Sequence, residues 1–483
     1  MAGIAFMGFV QGESRTQGSL FPVSLDELIG DDHLVRVIDL WVDRVEVGRL
    51  GFARAQPKHT GRPPYDPADL LKLYLYGYLN QVRSSRKLER EAQRNIELLW
   101  LLRQLRPDFK TIANFRRENG QALVLACRAF VGFCREQSLV TGQLVAIDGS
   151  KFGAVASKRK VISKAKLARE RERIDARIAQ YLVELDAADR SEGDEAVPDQ
   201  AQLSTTIARL KHQRDNVISA HALMEEMDVA HHVQGEPEAR LMKTAQGPSR
   251  VAWNVQSAVD GEHGLIIHHE VTDEASDNRQ LEPMAKAAQT VLGQAELTVV
   301  ADAGYSNGAQ LDACERSGIA AFVPPNRAIN NQGDGALFQK DQFVFDAQRD
   351  GYHCPAGQFL ARKQAMHKRR EVIYAATVCG ACPLKRQCTN AKYRHVSRHN
   401  HEAALESARA RLEADPNKMR ERRSLVEHPF GTLKTHILGN GRLLLRGASG
   451  ARAEMALAVL AYNFRRVSNI LGNGRIIEVL ATA

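Results

Sequence analysis

Two short apolar runs that end in an acidic residue stand out in the hydrophobic pattern of this chain. Residues 145–147 lead directly into Asp148, and residues 298–301 lead into Asp302 in the same way. Because runs rich in β-branched residues favour buried strands, each run predicts a strand that carries its carboxylate to the edge of a sheet. An isolated Asp-Gly pair, such as Asp148 with Gly149, is more often a hairpin turn. The second run favours the other interpretation.

A mixed sheet is predicted around these two runs. Polar and apolar residues alternate over 251–259, and Asp260 with Gly261 is a typical two-residue connection to a following strand. Strands interleaved with helical patterns predict an α/β fold in which helices flank the sheet. The further predicted elements are strand 265–271, helix 280–291 and strand 321–323.

The N-terminal part of the chain has apolar positions at the spacing of amphipathic helices. Asp32 is the predicted N-cap of a helix over residues 34–45, and Asp66 followed by Pro67 predicts the start of the next helix. One long helix is predicted over residues 111–134. This part of the chain is therefore expected to be all helical.

A helix that begins after Ser84 is predicted to have one apolar and one basic face. Arg86, Lys87 and Arg90 lie on the basic face. We predict that residues 1–140 form an all-α DNA-binding domain in which this face binds DNA phosphates. The alternative is a solvated basic face. The apolar stripe of this helix consists of Leu88, Ala92, Ile96 and Leu99.

Residues 158–247 interrupt the strand pattern with helical spacing. Their apolar positions predict a helical hairpin, and basic residues crowd its first arm. This arm either clamps DNA or is a solvated face. His231 and His232 near the end of the segment are interpreted as a structural or surface pair, because no second pair of metal ligands lies nearby in the sequence.

Length and charge limit the class of protein. The 483 residues suffice for two to four domains or for sizeable insertions. The net charge of +9 and the pI of about 9.2 favour a polyanionic partner. No apolar run approaches the ~20 residues that span a bilayer, and the first residues do not resemble a cleavable leader. We therefore expect a cytoplasmic, nucleoid-associated protein without a membrane partner.

Three short blocks of sequence each hold one acidic residue and follow one another along the chain. They are Ala146-Ile147-Asp148-Gly149-Ser150-Lys151, Ala301-Asp302-Ala303-Gly304-Tyr305 and Val426-Glu427-His428-Pro429-Phe430-Gly431. They are accompanied by Gly61-Arg62-Pro63-Pro64-Tyr65, Asn254-Val255-Gln256 and Leu443-Leu444-Leu445-Arg446-Gly447. The ordered set resembles that of bacterial insertion-sequence transposases of the DDE type, over nearly the whole chain.

The resemblance implies a ribonuclease H-like catalytic domain that cuts and joins DNA at the ends of a mobile element. Matched position by position, Asp148, Asp302 and Glu427 correspond to the three DDE acids. In such enzymes these acids hold two Mg²⁺ ions, for which Mn²⁺ is expected to substitute. The metal ions activate the attacking water and stabilise the leaving oxygen.

The resemblance also implies a domain organisation and partners. The catalytic domain would occupy residues 141–483, interrupted by the helical hairpin at 158–247 and by a Cys-rich insertion at 346–400. The implied DNA partners are the double-stranded terminal inverted repeats of the element and the target DNA. A homodimer is expected in the DNA complex.

The residues around Glu427 follow a spacing that such enzymes share. Arg423 stands four positions before Glu427 and Lys434 seven positions after it, whereas Arg420 occupies the place of the usual tyrosine. On a helix these offsets bring the four residues near one face. Arg420, Arg423 and Lys434 are therefore expected to contact DNA, with an ordinary surface position as the alternative for Arg420.

A group of cysteines suggests a second metal site. Disulfides are improbable in the cytoplasm, and a C-x-x-C pair can hold one tetrahedral Zn²⁺. The segment around these cysteines is short and polar, so we expect it to lack a core and to gain order from a structural zinc. Free thiols in a surface loop are the alternative. The predicted ligands are Cys354, Cys379, Cys382 and Cys388.

Two other functions fit the same residues. A catalytically silent, sequence-specific DNA-binding protein derived from a transposase would keep the fold without the chemistry, and the intact set of three acids argues against it. A nuclease of the same fold that is not part of a mobile element would cleave DNA without joining it.

Overall fold

The computed structural model describes residues 24–56, 63–190, 200–244, 247–325, 337–367 and 370–482. Gly61 and Arg62 of the glycine-proline block lie outside these ranges. The chain forms two compact units, one of residues 1–118 with 467–483 and the other of residues 119–466. The domain boundaries proposed from the sequence stay predictions.

Helices make up the first unit. Asp66 caps the second helix, since its carboxylate accepts from the Ala68 N–H at 2.8 Å, and Pro67 is the first helical residue, as predicted. The first helix differs from the prediction, because His33 rather than Asp32 caps it. The helices are α1 (Leu34–Arg44), α2 (Pro67–Leu79), α3 (Ser85–Arg94), α4 (Ile96–Leu101) and α5 (Phe109–Glu118), and residues 473–482 add a C-terminal helix.

Two helices predicted from the sequence are broken in the structure. The helix after Ser84 ends at Arg94, and the Asn95 side chain then accepts from the N–H groups of Glu97 and Leu98 and starts α4. Ile96 is consequently 42% exposed instead of lying in the apolar stripe. The predicted helix over residues 111–134 is likewise divided at Asn119.

A mixed six-stranded sheet forms the centre of the second unit. β1 (Val145–Gly153) lies between two neighbours, the antiparallel β5 (Gly247–Asp260) and the parallel β7 (Leu297–Val300). The predicted hairpin at Asp260 connects β5 to β6 (Ile266–Thr272). The mixed α/β architecture is therefore confirmed. The remaining strands are β4 (Arg240–Thr244) and β8 (Ile319–Phe322), and β2 (Val161–Ser163) pairs separately with β3 (His231–Val233).

The sheet is accompanied by helices, two of which form a long pair. In this pair Ile174 and Ile178 pack with Leu210, as the sequence spacing predicts. His231 is exposed and His232 is half-buried on β3. The helices are α6 (Gly120–Glu136), α7 (Lys164–Arg190), α8 (Gln200–Glu226), α9 (Leu281–Leu292), α10 (Gly308–Arg316), α11 (Lys385–Cys388), α12 (Glu402–Ala414), α13 (Lys418–Thr432) and α14 (Gly447–Leu471).

A second sheet contains the segment that holds the four clustered cysteines. Its five antiparallel strands surround a core that includes Phe343, Tyr352, Leu360, Tyr374 and Val396. The expectation that this segment lacks a core is therefore wrong, because its aromatic residues are spaced along strands that bring them together. The strands are β9 (Val344–Asp346), β10 (Gly351–His353), β11 (Phe359–Met366), β12 (Glu371–Ala375) and β13 (His395–His399).

No helix in the described ranges is both long enough and apolar enough to cross a bilayer.

Candidate active site

Asp148 lies in the middle of β1, not at its end as the sequence pattern suggested. β1 pairs with β5 along its whole length, but its pairing with β7 stops after Ala146 opposite Val300. Asp148 therefore follows the point at which β7 leaves the strand. The apolar run before Asp148 is buried, and the Asp148 side chain is 20% exposed.

Asp302 follows the end of β7 and completes a pair of carboxylates with Asp148. Its side chain accepts from the Gly304 N–H at 2.8 Å, which fixes the turn after the strand. Both carboxylates lie beside the same guanidinium, with Arg422 Nη2 3.0 Å from Asp148 Oδ1 and 3.6 Å from Asp302 Oδ2. The structure thus brings together two of the three predicted acids around one positive charge.

The positive charge beside these two carboxylates is too small to offset the burial of Asp148. Burial raises the pKa of Asp148 to about 6, the Arg422 guanidinium partly offsets this effect, and the Asp302 carboxylate adds to it. A neighbouring cation stabilises the ionised form of a carboxyl group. Since one guanidinium is not enough to offset the burial, additional positive charge at this position would be favourable.

Helix α13 covers the face of the sheet that carries Asp148. Val426 packs with Ala146 and Val300, and the rings of Phe430 and Phe152 have centroids 6.1 Å apart. Residues four apart on a helix share one face. Arg422 precedes Val426 by one such step, so the packing of Val426 aims Arg422 at Asp148. The same spacing in the sequence could have revealed Arg422, which we did not predict.

The residues predicted to share a face with Glu427 are placed differently from one another. The side chains of Arg420, Arg423 and Glu427 are exposed on α13. Lys434 lies beyond the helix in a π-helical segment, Leu433–Ile437, where its ammonium group donates to Ser150 Oγ at 2.5 Å. Lys434 therefore contacts the strand that holds Asp148.

Glu427 is not joined to the two aspartates in a metal-binding group. Nowhere in the described part of the chain do three or more His, Cys, Asp or Glu side chains form a group arranged to hold a metal ion. Glu427 is nevertheless the next residue after Val426, which packs on the strands of both aspartates. Its assignment as the third acid stays a prediction.

The basic residues predicted on the third helix of the chain are exposed in the first unit. Arg86, Lys87 and Arg90 are all exposed on α3, and the Arg86 guanidinium lies 5.1 Å from the centroid of the Phe109 ring. Leu88 on the other side of the helix is fully buried. The predicted separation of a basic face from an apolar face is thus present at these positions.

The four clustered cysteines line one small pocket beside the second sheet. Cys379 is buried, and the sulfur of Cys354 accepts from the Gln358 N–H at 3.3 Å. Burial raises the pKa of the Cys388 thiol, and the three other cysteines of the group add to this effect. These thiols are close neighbours, yet they are not among any metal-ligand group in the described ranges. Zinc binding stays a prediction.

Two segments of the chain match families of transposase domains. Residues 23–118 match the family described as "Transposase domain (DUF772)", and residues 353–468 match the "Transposase DDE domain". The resemblance to DDE-type transposases is thereby confirmed. The two matched domains support a transposase function, and the second match contains α13 with Arg422 and Glu427.

No curated protein matches the chain. Among solved structures, the synaptic complex of piggyBac transposase with hairpin DNA is similar over 94% of this chain and 78% of that chain, at 10% identity and a TM-score of 0.33. A score this low does not establish a common fold.

Proposed function

We propose that this chain is a DDE transposase that binds the ends of an insertion sequence, cuts the DNA there with divalent metal ions and joins the freed ends to target DNA. The observation that carries the proposal is the convergence of Asp148 and Asp302 on one cation, Arg422, beneath a helix of the matched DDE domain. The proposal includes a ribonuclease H-like catalytic core and the Cys-rich insertion.

The residues at this position fit Mg²⁺. Carboxylate oxygens are the ligands that Mg²⁺ prefers, and those of Asp148 and Asp302 already face a common positive charge at 3.0 and 3.6 Å. In the proposal Asp148, Asp302 and Glu427 hold two Mg²⁺ or Mn²⁺ ions. When bound, such ions supply an acidified water and positive charge at the leaving oxygen.

Arginine and lysine side chains near the two aspartates would contact the DNA in this scheme. Arg422 offsets part of the charge of the two aspartates and would be released to a phosphate if metal ions balanced that charge. Lys434 contacts Ser150 on β1, and a phosphate held by its ammonium group would lie along the strand of Asp148. Arg420 and Arg423 are exposed on α13, where they can contact the DNA backbone without rearrangement.

Recognition of the ends is assigned to the first unit. Arg86, Lys87 and Arg90 present positive charge on α3, over a buried apolar face that keeps the helix in place. Lys and Arg contacts to phosphates supply most of the affinity of proteins for DNA. The proposed partners are the terminal inverted repeats and the target DNA, bound by a homodimer of this chain in the nucleoid.

The proposal is tested by a nicking assay on double-stranded DNA that contains the ends of the element. We expect cleavage by the wild type in Mg²⁺ or Mn²⁺ and a loss of at least about 100-fold in Glu427→Gln, since even the groups that orient metal ligands account for 10–100-fold. Binding of end DNA in EDTA should be unchanged, because affinity comes from the cations.

Glu421→Gln is the matched control, because Glu421 lies on the same helix and bonds to Lys418 at 2.9 Å on the surface. It should cleave like the wild type. Cleavage by Glu427→Gln at the wild-type rate would contradict the assignment. A wild type that binds the ends without cutting them would favour the catalytically silent DNA-binding protein, and cutting without joining would favour a nuclease.

A further inference from the structure

A buried amide, that of Gln256, links two parts of the candidate site. Its Oε1 accepts a hydrogen bond from the Tyr305 hydroxyl, and its Nε2 donates to Asp277 Oδ1 at 2.7 Å. The Gln256 and Tyr305 side chains are fully buried. Because the phenol donates on one side and the carboxylate accepts on the other, the orientation of the amide is fixed.

Asp277 receives two further donors on the same oxygen. Asn254 Nδ2 lies 2.7 Å from Asp277 Oδ1, and Lys151 Nζ lies 3.5 Å from it. Asp277 belongs to the connection between β6 and α9, so it ties this connection to both β1 and β5. The Asp277 carboxylate is thus held by three donors within the protein, whereas Asp148 and Asp302 share one guanidinium.

The hydrogen-bonded chain reaches the segments of both aspartates. Gln256 lies opposite Gly149 in the β1–β5 ladder, and Gly149 directly follows Asp148 in the sequence. Tyr305 is the last residue of the turn that Asp302 caps through its bond to the Gly304 N–H. Successive strand residues point to opposite faces of a sheet. These hydrogen-bonded side chains therefore lie behind Asp148, on the face of the sheet that Gly149 shares with Lys151.

Gly149 provides the space for this arrangement. A Cβ atom at this position would lie 2.3 Å from Gln256 Nε2 and 2.6 Å from Asp277 Oδ1. Both distances are shorter than any ordinary contact, so a side chain would displace the amide or the carboxylate. The glycine of the Asp-Gly pair is thus explained by packing behind the strand and not by a turn.

We propose that Asp277, Gln256 and Tyr305 are positioning residues that fix Asp302 relative to Asp148 for metal binding. The inference rests on the proposed function. The three side chains would act through the backbone, because one chain of hydrogen bonds holds β1, β5 and the turn after β7 together. Burial raises the pKa of Tyr305 well above its usual value, with Asp277 adding to the effect, so the hydroxyl keeps its proton and remains a donor.

An exchange of the amide and the carboxylate tests the proposal. Gln256→Glu alone places two carboxylates against each other and should raise the Mn²⁺ concentration for half-maximal thermal stabilisation by about 10–100-fold, the range measured for groups that orient metal ligands. The double variant Gln256→Glu with Asp277→Asn restores one carboxylate and one amide in exchanged places. It should need less Mn²⁺ than Gln256→Glu, since the bonds that join residue 256 to Tyr305 and to residue 277 can re-form, whereas Asn254 and Lys151 lose the oxygen that they share.

Two further variants separate positioning from general destabilisation. Tyr305→Phe removes one bond without new charge and should raise the same Mn²⁺ concentration several-fold. Gln289→Glu is the matched control, because the Gln289 amide donates to the backbone carbonyls of Ala295 and Ser317 at 2.6 and 2.9 Å, away from the aspartates. It should lower the melting temperature and leave the Mn²⁺ dependence unchanged.

The outcomes distinguish this inference from the proposed function. If the wild type binds Mn²⁺ and cleaves DNA while Gln256→Glu has the same Mn²⁺ dependence, or while the exchange is no better than Gln256→Glu, the positioning role is wrong. If the wild type neither gains stability from Mn²⁺ nor cleaves end DNA, the proposed function fails, and the inference fails with it. DNA binding in EDTA should be equal in all variants.

Discussion

Replacing Asp148 by asparagine should stabilise the metal-free protein. Burial raises the pKa of Asp148 from 3.8 to about 6, and each pKa unit corresponds to about 1.4 kcal/mol. A carboxyl group whose pKa is raised on folding favours the folded state at low pH, where it is protonated. This stability is lost as the pH rises through the folded-state pKa, because the folded protein must then hold the carboxylate. At pH 7.5 the ionised carboxylate therefore lowers the free energy of unfolding by about 3 kcal/mol, and at pH 5 by about half as much.

Asparagine resembles the protonated carboxyl group and avoids this loss. For a unit of the size of residues 119–466, about 3 kcal/mol corresponds to a rise of about 4 °C in melting temperature. Melting curves of the wild type and Asp148→Asn in EDTA at pH 7.5 and pH 5 measure both values. Glu170→Gln is the control, because Glu170 forms an exposed pair with Arg173 at 2.6 Å, and it should shift the melting temperature by less than about 1 °C.

The pH dependence decides the interpretation. A gain at pH 7.5 that shrinks at pH 5 is the expected result. Equal melting temperatures of wild type and Asp148→Asn at pH 7.5, or a lower one in the variant, would refute the electrostatic reasoning. A gain of the same size at both pH values would show that packing of the amide, and not the charge of Asp148, is responsible.

Two further predictions concern the basic helix and the cysteines. Simultaneous replacement of Arg86, Lys87 and Arg90 by alanine should weaken the binding of end DNA. The slope of log affinity against log salt concentration should fall in magnitude by about 2 to 3, as expected for three lost phosphate contacts. An unchanged slope would show that other residues bind the DNA ends. Protein purified without added zinc should contain about one Zn²⁺ per chain, and Cys379→Ser with Cys382→Ser should remove it; a content well below one in the wild type, unchanged by these substitutions, would contradict the zinc site.

The sequence predicted those parts of the fold that depend on local patterns. The apolar runs before Asp148 and Asp302 are the buried strands β1 and β7, and Asp260 lies at the predicted hairpin. Asp66 caps its helix because an N-cap depends on a few neighbouring residues. For the same reason the break at Asn95 could be predicted from the sequence, since asparagine is a preferred N-cap residue.

The parts that were missed depend on contacts between distant segments. β1 runs past Asp148 to Gly153 because β5 pairs with it there, and no pattern within β1 indicates its partner. Arg422 reaches Asp148 from 274 positions away, through the packing of Val426. The core of the second sheet is not apparent in the sequence because its apolar residues are distributed over short strands and the loops between them.

This separation in sequence has a consequence for the order of events during synthesis. Ribosomes make a chain from its N-terminus, and segments that are complete can fold before the rest exists. The exposed basic face of α3 emerges early. Arg422, the cation beside Asp148, emerges 274 residues after that aspartate. A nascent chain that ends before α13 would hold α3 but would lack Glu427 and the part of the first unit formed by residues 467–483. Because residues 467–483 belong to the same unit as α3, binding of the ends and cutting would both require residues that are made after Arg422.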